Sequence, residues 1–437
     1  MDLEKDVLDA FEYIQENDVK FIRLQFCDLL GQNRNVAITA KQMERVLAGG
    51  MPFDASLIPG LTAAGDADLV LVPDMTTIQL LPWRPQRGKV ARIICDIKYP
   101  DGKIYASDSR QILKKSLKKA DQLGIDFFVS TGCEFYLFKQ DEEGNPTTEP
   151  TDQASYFDLA PYDRGENTRR EIILTLEDMG FEIESSRHEK GPGQHEVDFE
   201  YDSALCSADK LTTFRTVVKT VSQRNGMHAS FLPKPLVDEP GSGMHVHVFL
   251  EKDGENIFEI KDGKLSQEAQ SFIAGVLAHI KGITAVANPL VNSYKRLIGG
   301  QEAPRFISYG CGNQLPLIKI PAEFSGHSRL ELRSPDPTCN PYLIFALVLE
   351  AGLDGMEKNL PLDEKLLIKS DTDLSAGFEE LPMNLNDALR EMEKDPLIQD
   401  VLGSELTKKY IILKKAEWNE YTKTVHPWEI DHYLSVY

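Results

Sequence analysis

The sequence predicts an α+β protein in two parts, a small β-rich domain over residues 1–104 followed by a larger domain over 105–437 in which helices and strands alternate. Three observations carry this. The first hundred residues hold short apolar runs separated by turn residues; after Asp108 apolar residues recur at helical spacing; and several strands of the second part carry carboxylates or histidines among apolar neighbours. Side chains repeating every second residue mark a half-buried strand, and those repeating every third and fourth mark a helix.

Taken in order, the acidic, amphipathic stretch "MDLEKDVLDAFEYI" opens the chain. "KFIRLQFCDLL" and "NVAITA" read as strands flanking a glycine-containing turn, with one helix at each end of this hairpin region, and "ADLVLVPD", "TIQLLPW" and "VARIICDI" follow as further strands. "DSRQILKKSLKKADQLGI" has an aspartate in N-cap position and a glycine stop, and it opens the second domain as a helix. Strands are expected at 125–138, 195–201 and 244–250, and helices at 166–179, 207–225, 266–287, 341–358, 384–394 and 404–422. There is no internal repeat and no low-complexity tract.

Composition narrows the function. With 41% hydrophobic and 27% charged residues, the chain is ordinary for a globular protein. Runs such as "PYLIFALVLEAGL" fall short of the ~18–20 residues that span a bilayer, and the N-terminus lacks a basic, then greasy leader. A cytoplasmic protein without membrane attachment is expected. The six cysteines have no paired spacing, which argues against a disulfide framework and a thiolate zinc site. A net charge of −21 with no basic stripe disfavours nucleic acid. An anionic substrate must then meet local arginines or a bound divalent cation.

Carboxylates are poor strand formers and are rarely buried alone, so those inside apolar strands demand a reason. Glu134 lies in "VSTGCEFYLF". Glu189 and Glu196 bracket "RHEKGPGQHEVDF", where a Gly-Pro-Gly turn would fold them towards each other. Glu331 in "SRLELRSPDP" has Arg329 and Arg333 two residues to either side. In "GSGMHVHVFL", His245 and His247 share one strand face while Val246 and Val248 take the other. Each residue alone could be a solvated or core side chain. Together, oxygen-dominated ligands favour a hard cation, Mg²⁺ or Mn²⁺, over zinc. A carboxylate between arginines suits polyphosphate transfer, because cations neutralise phosphate oxygens while guanidiniums hold the acceptor. Neither a Walker A loop nor a Rossmann fingerprint is present.

The motifs "FDASLIPG", "HEKGPGQHEVDF", "GSGMHVHVFL", "NPLVNSYKRLIGGQEAP", "RLELRSPDPTCNPYLIFALVLEAGLDGM" and "PWEIDHYLSVY" together resemble the glutamine synthetase family, prokaryotic type, in its shorter bacterial and archaeal branch. The resemblance implies a β-grasp-like N-terminal domain, a glutamine-synthetase-type catalytic domain and a homo-oligomer of two stacked hexameric rings, a dodecamer with active sites shared between neighbours. It also implies ATP as co-substrate: the γ-carboxylate of glutamate is phosphorylated, and ammonia or a small amine displaces phosphate. By position, Glu134, Glu189 and Glu196 would hold one metal, and His245 and Glu331 a second. Arg296 and Arg333 would hold the acid substrate and the transferring phosphate, Gly241 would line that site, and His247 and Arg329 would face the nucleotide. Asp54 from a neighbouring subunit would help deprotonate ammonium, and Glu302 in the flap "GGQEAP" would close over the intermediate. Pro361 stands where the adenylylated branch carries tyrosine, so that modification is not expected.

The chain departs from the family pattern inside the site. Gly132 replaces a glutamate that faces the metals, and Pro240 replaces an asparagine that contacts glutamate. Gly312, Gln314 and Lys319 stand where arginines are usual, and Phe249 where serine is common. Arg305 and His327 are candidate compensating cations. The alternative to a ligase is a ring-forming relative that binds nucleotide or metabolite as a regulator or scaffold.

Overall fold

The computed structural model describes the chain except for residues 1, 64–65, 67, 85–86, 262–263, 300–301, 313, 321–327 and 370–376, and the side chains of 2–4. His327 therefore lies outside the described residues. After the helix Asp2–Glu16, six strands form the first sheet: β1 (Val19–Cys27), β2 (Asn33–Thr39), β3 (Met51–Phe53), β4 (Leu69–Pro73), β5 (Gln79–Leu80) and β6 (Lys89–Lys98). Their order is β2-β1-β6-β4-β3, with β5 also on β6. β1 and β6 run parallel and the other ladders antiparallel. A core from Ala10 to Tyr105 fills this unit.

The β1–β2 turn docks the first sheet on the second domain. Gly31 adopts φ +79°, where L side chains are strained, and a Cβ there would come 3.0 Å from Asn340 Cα. Asp28 shapes the turn by accepting from the Leu30 and Gln32 amides at 3.0 and 2.9 Å. Beside it, buried Arg110 joins the two domains. Its guanidinium donates twice to Asp209, at 3.0 and 2.8 Å, and reaches Asp96 at 2.8 Å and Asp74 at 3.0 Å.

The second sheet is built on β7 (Ile125–Gln140). β8 (Pro146–Pro150), β9 (Ile183–His188), β10 (Gln194–Phe199), β11 (Asp202–Ser203), β12 (Met227–Ser230), β13 (Met244–Lys252), β14 (Glu255–Asn256), β15 (Tyr309–Cys311), β16 (Ile318–Ile320) and β17 (Leu330–Leu332) complete it. The path runs β15-β16-β17-β13-β7-β10-β9, with β8, β11 and β12 also on β7 and β14 on β13. Alternation divides β7: Cys133 and Phe135 enter the apolar core with Val197, Val246 and Leu332, while Gly132 and Glu134 face the other way. Helices Ala204–Arg224, Gln267–Ala287 and Pro341–Glu357 cover the apolar side, and Phe135 meets Phe214 edge-on at 6.2 Å.

The expected helices all form, within three residues of their expected bounds at either end. Helix Val291–Ile298, which carries Arg296, and the three-residue strands β15 to β17 are additions. Among the described residues one helix, Gln267–Ala287, is long and apolar enough to cross a membrane. That stretch is 78% buried inside the fold, as suits a core helix.

Candidate active site

The polar face of the second sheet opens into a cavity of about 630 Å³. Strand register puts its groups together. Glu196 pairs with Glu134 and Asp198 with Gly132 across β10–β7; His245 pairs with Gly132 across β13–β7; His247 pairs with Glu331 across β13–β17; Lys319 pairs with Glu331 across β16–β17. Cross-strand partners project to the same side, so residues far apart in sequence meet by pleat alone.

The carboxylates fall into two groups. Glu134 accepts from Gln194 Nε2 at 3.0 Å and from the Gly243 amide at 2.8 Å through Oε2. Its Oε1 faces His245 Nε2 at 3.8 Å, and Glu196 Oε1 faces His245 Nδ1 at 3.8 Å. Glu134, Glu196 and His245 thereby present ligand atoms within 4.8 Å of one another. Glu196 Oε1 is buried and has no hydrogen-bond partner among the described residues. An orphaned buried carboxylate oxygen costs free energy unless a ligand meets it, and this donor set of two carboxylates and an imidazole suits a divalent cation.

Glu189 and Glu331 are held differently. The β9–β10 hairpin does fold Glu189 and Glu196 towards each other, but onto a guanidinium: Arg187 binds Glu189 Oε1 at 2.7 Å and also pairs with Glu196 Oε2 and Asp198 Oδ2. Glu331 gives one oxygen to Arg333 at 2.5 Å and the other to Lys319 at 3.2 Å, while its Oε1 lies 3.5 Å from His245.

Electrostatics follow these contacts. Burial, with Glu189 nearby, pushes Glu134 up to about 7, and burial, Asp198 and Glu134 push Glu196 well up. Burial also raises Glu331, but His245, His247, Arg333 and Lys319 outweigh it and hold the group well below the carboxylate range. Burial lowers His247 to about 4; burial and then Arg333 hold His245 well below its ordinary value. Both imidazoles are thus neutral near pH 7, the form that ligates or accepts.

The anion side of the cavity is cationic. Arg296, buried on its helix, is fixed by the carbonyls of Ser334 at 2.7 Å and Arg333 at 3.0 Å. Gly241 and Gly243 make room for it: a Cβ at Gly243 would lie 2.5 Å from Arg296 Nη2. Arg329 reaches Glu184 and Tyr201 OH, both at 3.3 Å, over the Tyr201 ring. Phe249 packs on Tyr201 at 5.9 Å and on Phe128 at 5.6 Å, which gives that departure aromatic neighbours. Glu302 adopts φ +63° and pairs with Lys190 at 3.0 Å.

All the predicted site residues except Asp54 line this cavity. Asp54 is exposed on the first domain and caps its own turn, accepting from the Ser56 amide at 3.0 Å and hydroxyl at 2.6 Å. Arg305 pairs with Glu380 at 2.9 Å and is not among the lining residues, whereas Gln314 and Lys319 are. Sequence reasoning missed Arg187 and Asp198. Asp198 carried a signal, lying two residues from Glu196 on the same strand face, whereas Arg187 sits near the end of polar β9, two residues before Glu189.

A second cluster, Asp152, Asp163, His188 and His195, sits buried behind the hairpin. There Arg169 supplies the positive charge, at 2.8 Å from Asp163 and 2.7 Å from His195 Nδ1. His188 contacts Asp152 at 3.1 Å, which braces the strand ends carrying Glu189 and Glu196.

The chain matches two family models, "Glutamine synthetase, beta-Grasp domain" over residues 18–100 and "Glutamine synthetase, catalytic domain" over 106–433. It is 48% identical to glutamine synthetase of Clostridium saccharobutylicum over 98% of both chains. It is 46% identical to that of Methanosarcina mazei, over 98% of this chain and 97% of the relative. Among solved structures, a GmaS/ADP complex superposes with TM-score 0.87 at 32% identity, over 97% of this chain and 99% of that one. Cryo-EM Plasmodium falciparum glutamine synthetase superposes with TM-score 0.87 at 26% identity, over 98% of each. With both domains in order, and with carboxylates, imidazoles and guanidiniums facing one cavity, the chain belongs to the glutamine synthetase family.

Proposed function

We propose that the chain is an ATP-dependent carboxylate–amine ligase of the glutamine synthetase type. Glutamate, or a close analogue, attacks the γ-phosphorus of ATP through its side-chain carboxylate; the bond to ADP breaks and an acyl phosphate forms. Ammonia or a small primary amine then attacks the acyl carbon, the C–O bond to phosphate breaks, and the amide is left after loss of a proton. The observation that carries this reading is the cavity itself, where cation ligands lie beside buried arginines in one enclosure. Mg²⁺ or Mn²⁺, when bound, supplies the charge that neutralises phosphate oxygens.

The chain's own residues do the rest. Glu134, Glu196 and His245 would hold the cation. Arg296 and Arg333 would orient the acid and the transferring phosphoryl group, with Gly241 leaving room beside them. His247 and Arg329 would meet the nucleotide; that a nucleotide binds in this fold is supported by the GmaS neighbour, a complex with ADP. Glu302 would close the flap and exclude water. Asp54 would act across an interface, taking a proton from the incoming ammonium in a neighbouring copy.

Exposed apolar residues support the oligomer that this requires. Leu57 beside Asp54 is 79% exposed, and the C-terminal Leu434, Val436 and Tyr437 are similarly bare. A dodecamer and a cytoplasmic location are the assembly and setting we assign, the latter consistent with six unpaired cysteines. The two family matches support a domain division between residues 104 and 105.

Phosphate release measured with ATP and Mg²⁺ or Mn²⁺, across glutamate, related acids and several amines, tests the proposal. Release that depends on both acid and amine is expected. Its absence in every pairing would favour the ring-forming binding protein instead.

A further inference from the structure

We propose that Arg187 is a resident cation standing in for a second divalent ion, so that each subunit holds one divalent cation, between Glu134, Glu196 and His245. This rests on the ligase reading of the cavity and sharpens it.

Both places where a second ion could sit already carry positive charge from the chain. At the β9–β10 hairpin, one guanidinium contacts three carboxylates, Glu189, Glu196 and Asp198, through separate nitrogens. Ser185 steadies the arrangement, donating to Asp198 at 2.5 Å and accepting from Arg187 at 3.3 Å. A guanidinium stays protonated throughout the working pH range, so its charge is permanent. At β17, Arg333 and Lys319 occupy both oxygens of Glu331. Two monovalent cations on one carboxylate leave that corner with surplus positive charge, and a divalent ion bridging Glu331 and His245 would meet repulsion.

One set of ligand atoms escapes these cations. Glu134 Oε1, Glu196 Oε1 and the His245 ring lie together, and Glu196 Oε1 is the buried oxygen without a partner. Gly132 makes the arrangement possible. A Cβ there would lie 2.5 Å from Asp198 Oδ1 and would also collide with Glu196 Oε1, so the glycine lets both oxygens turn inward over the strand. Asp198 Oδ1 becomes a fourth candidate ligand, opposite Gly132 in register. The glycine and the arginine act together: β7 has no carboxylate at position 132, and a guanidinium supplies the charge that an ion would bring.

Equilibrium binding of Mn²⁺ to the full-length protein, read from the electron paramagnetic resonance signal of free Mn²⁺, tests this without activity. Wild type is expected to bind about one ion per subunit, Arg187→Lys about one, and Arg187→Gln about two, because the freed carboxylate oxygens form a hard-cation site. Glu189→Gln should shift wild-type affinity less than about threefold, whereas Glu196→Gln should weaken it at least about tenfold. Two ions in wild type, or a loss with Glu189→Gln equal to that with Glu196→Gln, would overturn the inference while leaving the ligase reading intact. No bound ion in wild type would overturn both. If Arg187→Gln fails to assemble, the wild-type count and the two glutamate variants decide.

Discussion

Replacing Gly132 by glutamate would add the carboxylate that the resemblance led us to expect on β7, yet in this chain it should be harmful. The new Cβ would lie 2.5 Å from Asp198 Oδ1 and closer still to Glu196 Oε1. Overpacking of this kind costs about 1–3 kcal/mol. A third carboxylate about 4 Å from one charged neighbour, Asp198, adds about 4 kcal/mol of repulsion at an effective dielectric near 20, while Glu196, whose pKa burial pushes well up, adds little. The cation-free protein should lose about 5–7 kcal/mol, the sum of those two effects. Gly132→Ala carries only the steric part, so the difference between the two variants isolates charge. Urea unfolding followed by tryptophan fluorescence in a chelator measures both. At one fixed Mn²⁺ concentration Gly132→Glu should be stabilised more than wild type, which itself gains about 2.7 kcal/mol at a hundredfold excess over its Kd. A Gly132→Glu protein within about 1 kcal/mol of wild type in chelator would show that the three carboxylates do not crowd one another, and the account of the sheet face would fail.

Arg110→Met should cost about 3–5 kcal/mol, because Asp209 loses a buried bidentate partner while Asp96 and Asp74 keep Lys114; a double-mutant cycle with Asp209→Asn that shows simple additivity would refute the pairing. Gly243→Ala should displace Arg296 and lower kcat/KM for the acid about 10–100-fold, with little change in unfolding, and unchanged kinetics would count against Arg296 as the anchor. His279, between Asp395 at 2.7 Å and Asp354 at 3.2 Å, has its pKa raised by those carboxylates against burial. A raised folded pKa gives stability that is fully present below the unfolded value of about 6.5 and is lost as pH climbs through the folded value. His279→Gln should therefore cost about 1.5–3 kcal/mol at pH 6 and much less at pH 9, and an equal cost at both would be inconsistent with this ion pair.

The long elements were legible because their signals are local. β7, β10 and β13 alternate cleanly, and the helix Ser109–Gln122 has its Asp108 cap, accepting from Arg110 N at 3.0 Å, where the sequence puts one. β15, β16 and β17 have three residues each, too few for a period, and exist because their neighbours pair with them. Glu331 was found by its flanking arginines rather than by its strand. The residues lining the cavity could be named, but the contacts among its carboxylates could not. Which carboxylate meets Arg187 and which meets His245 depends on register between strands widely separated in sequence, a property of the assembled sheet. The strand "IESSRH" is polar and half exposed, so nothing in its composition drew attention to Arg187.

β7 works as a ruler. Its 16 residues meet β10 on one edge and β13 on the other, so the gaps between charged groups are inherited from the backbone repeat and owe little to flexible loops. Such a scale can be re-lettered at single positions, as at Gly132, without being moved. Inserting one residue between Thr131 and Glu134 would instead turn the whole working face towards the apolar layer, so the sheet tolerates a change of letter far better than a change of spacing.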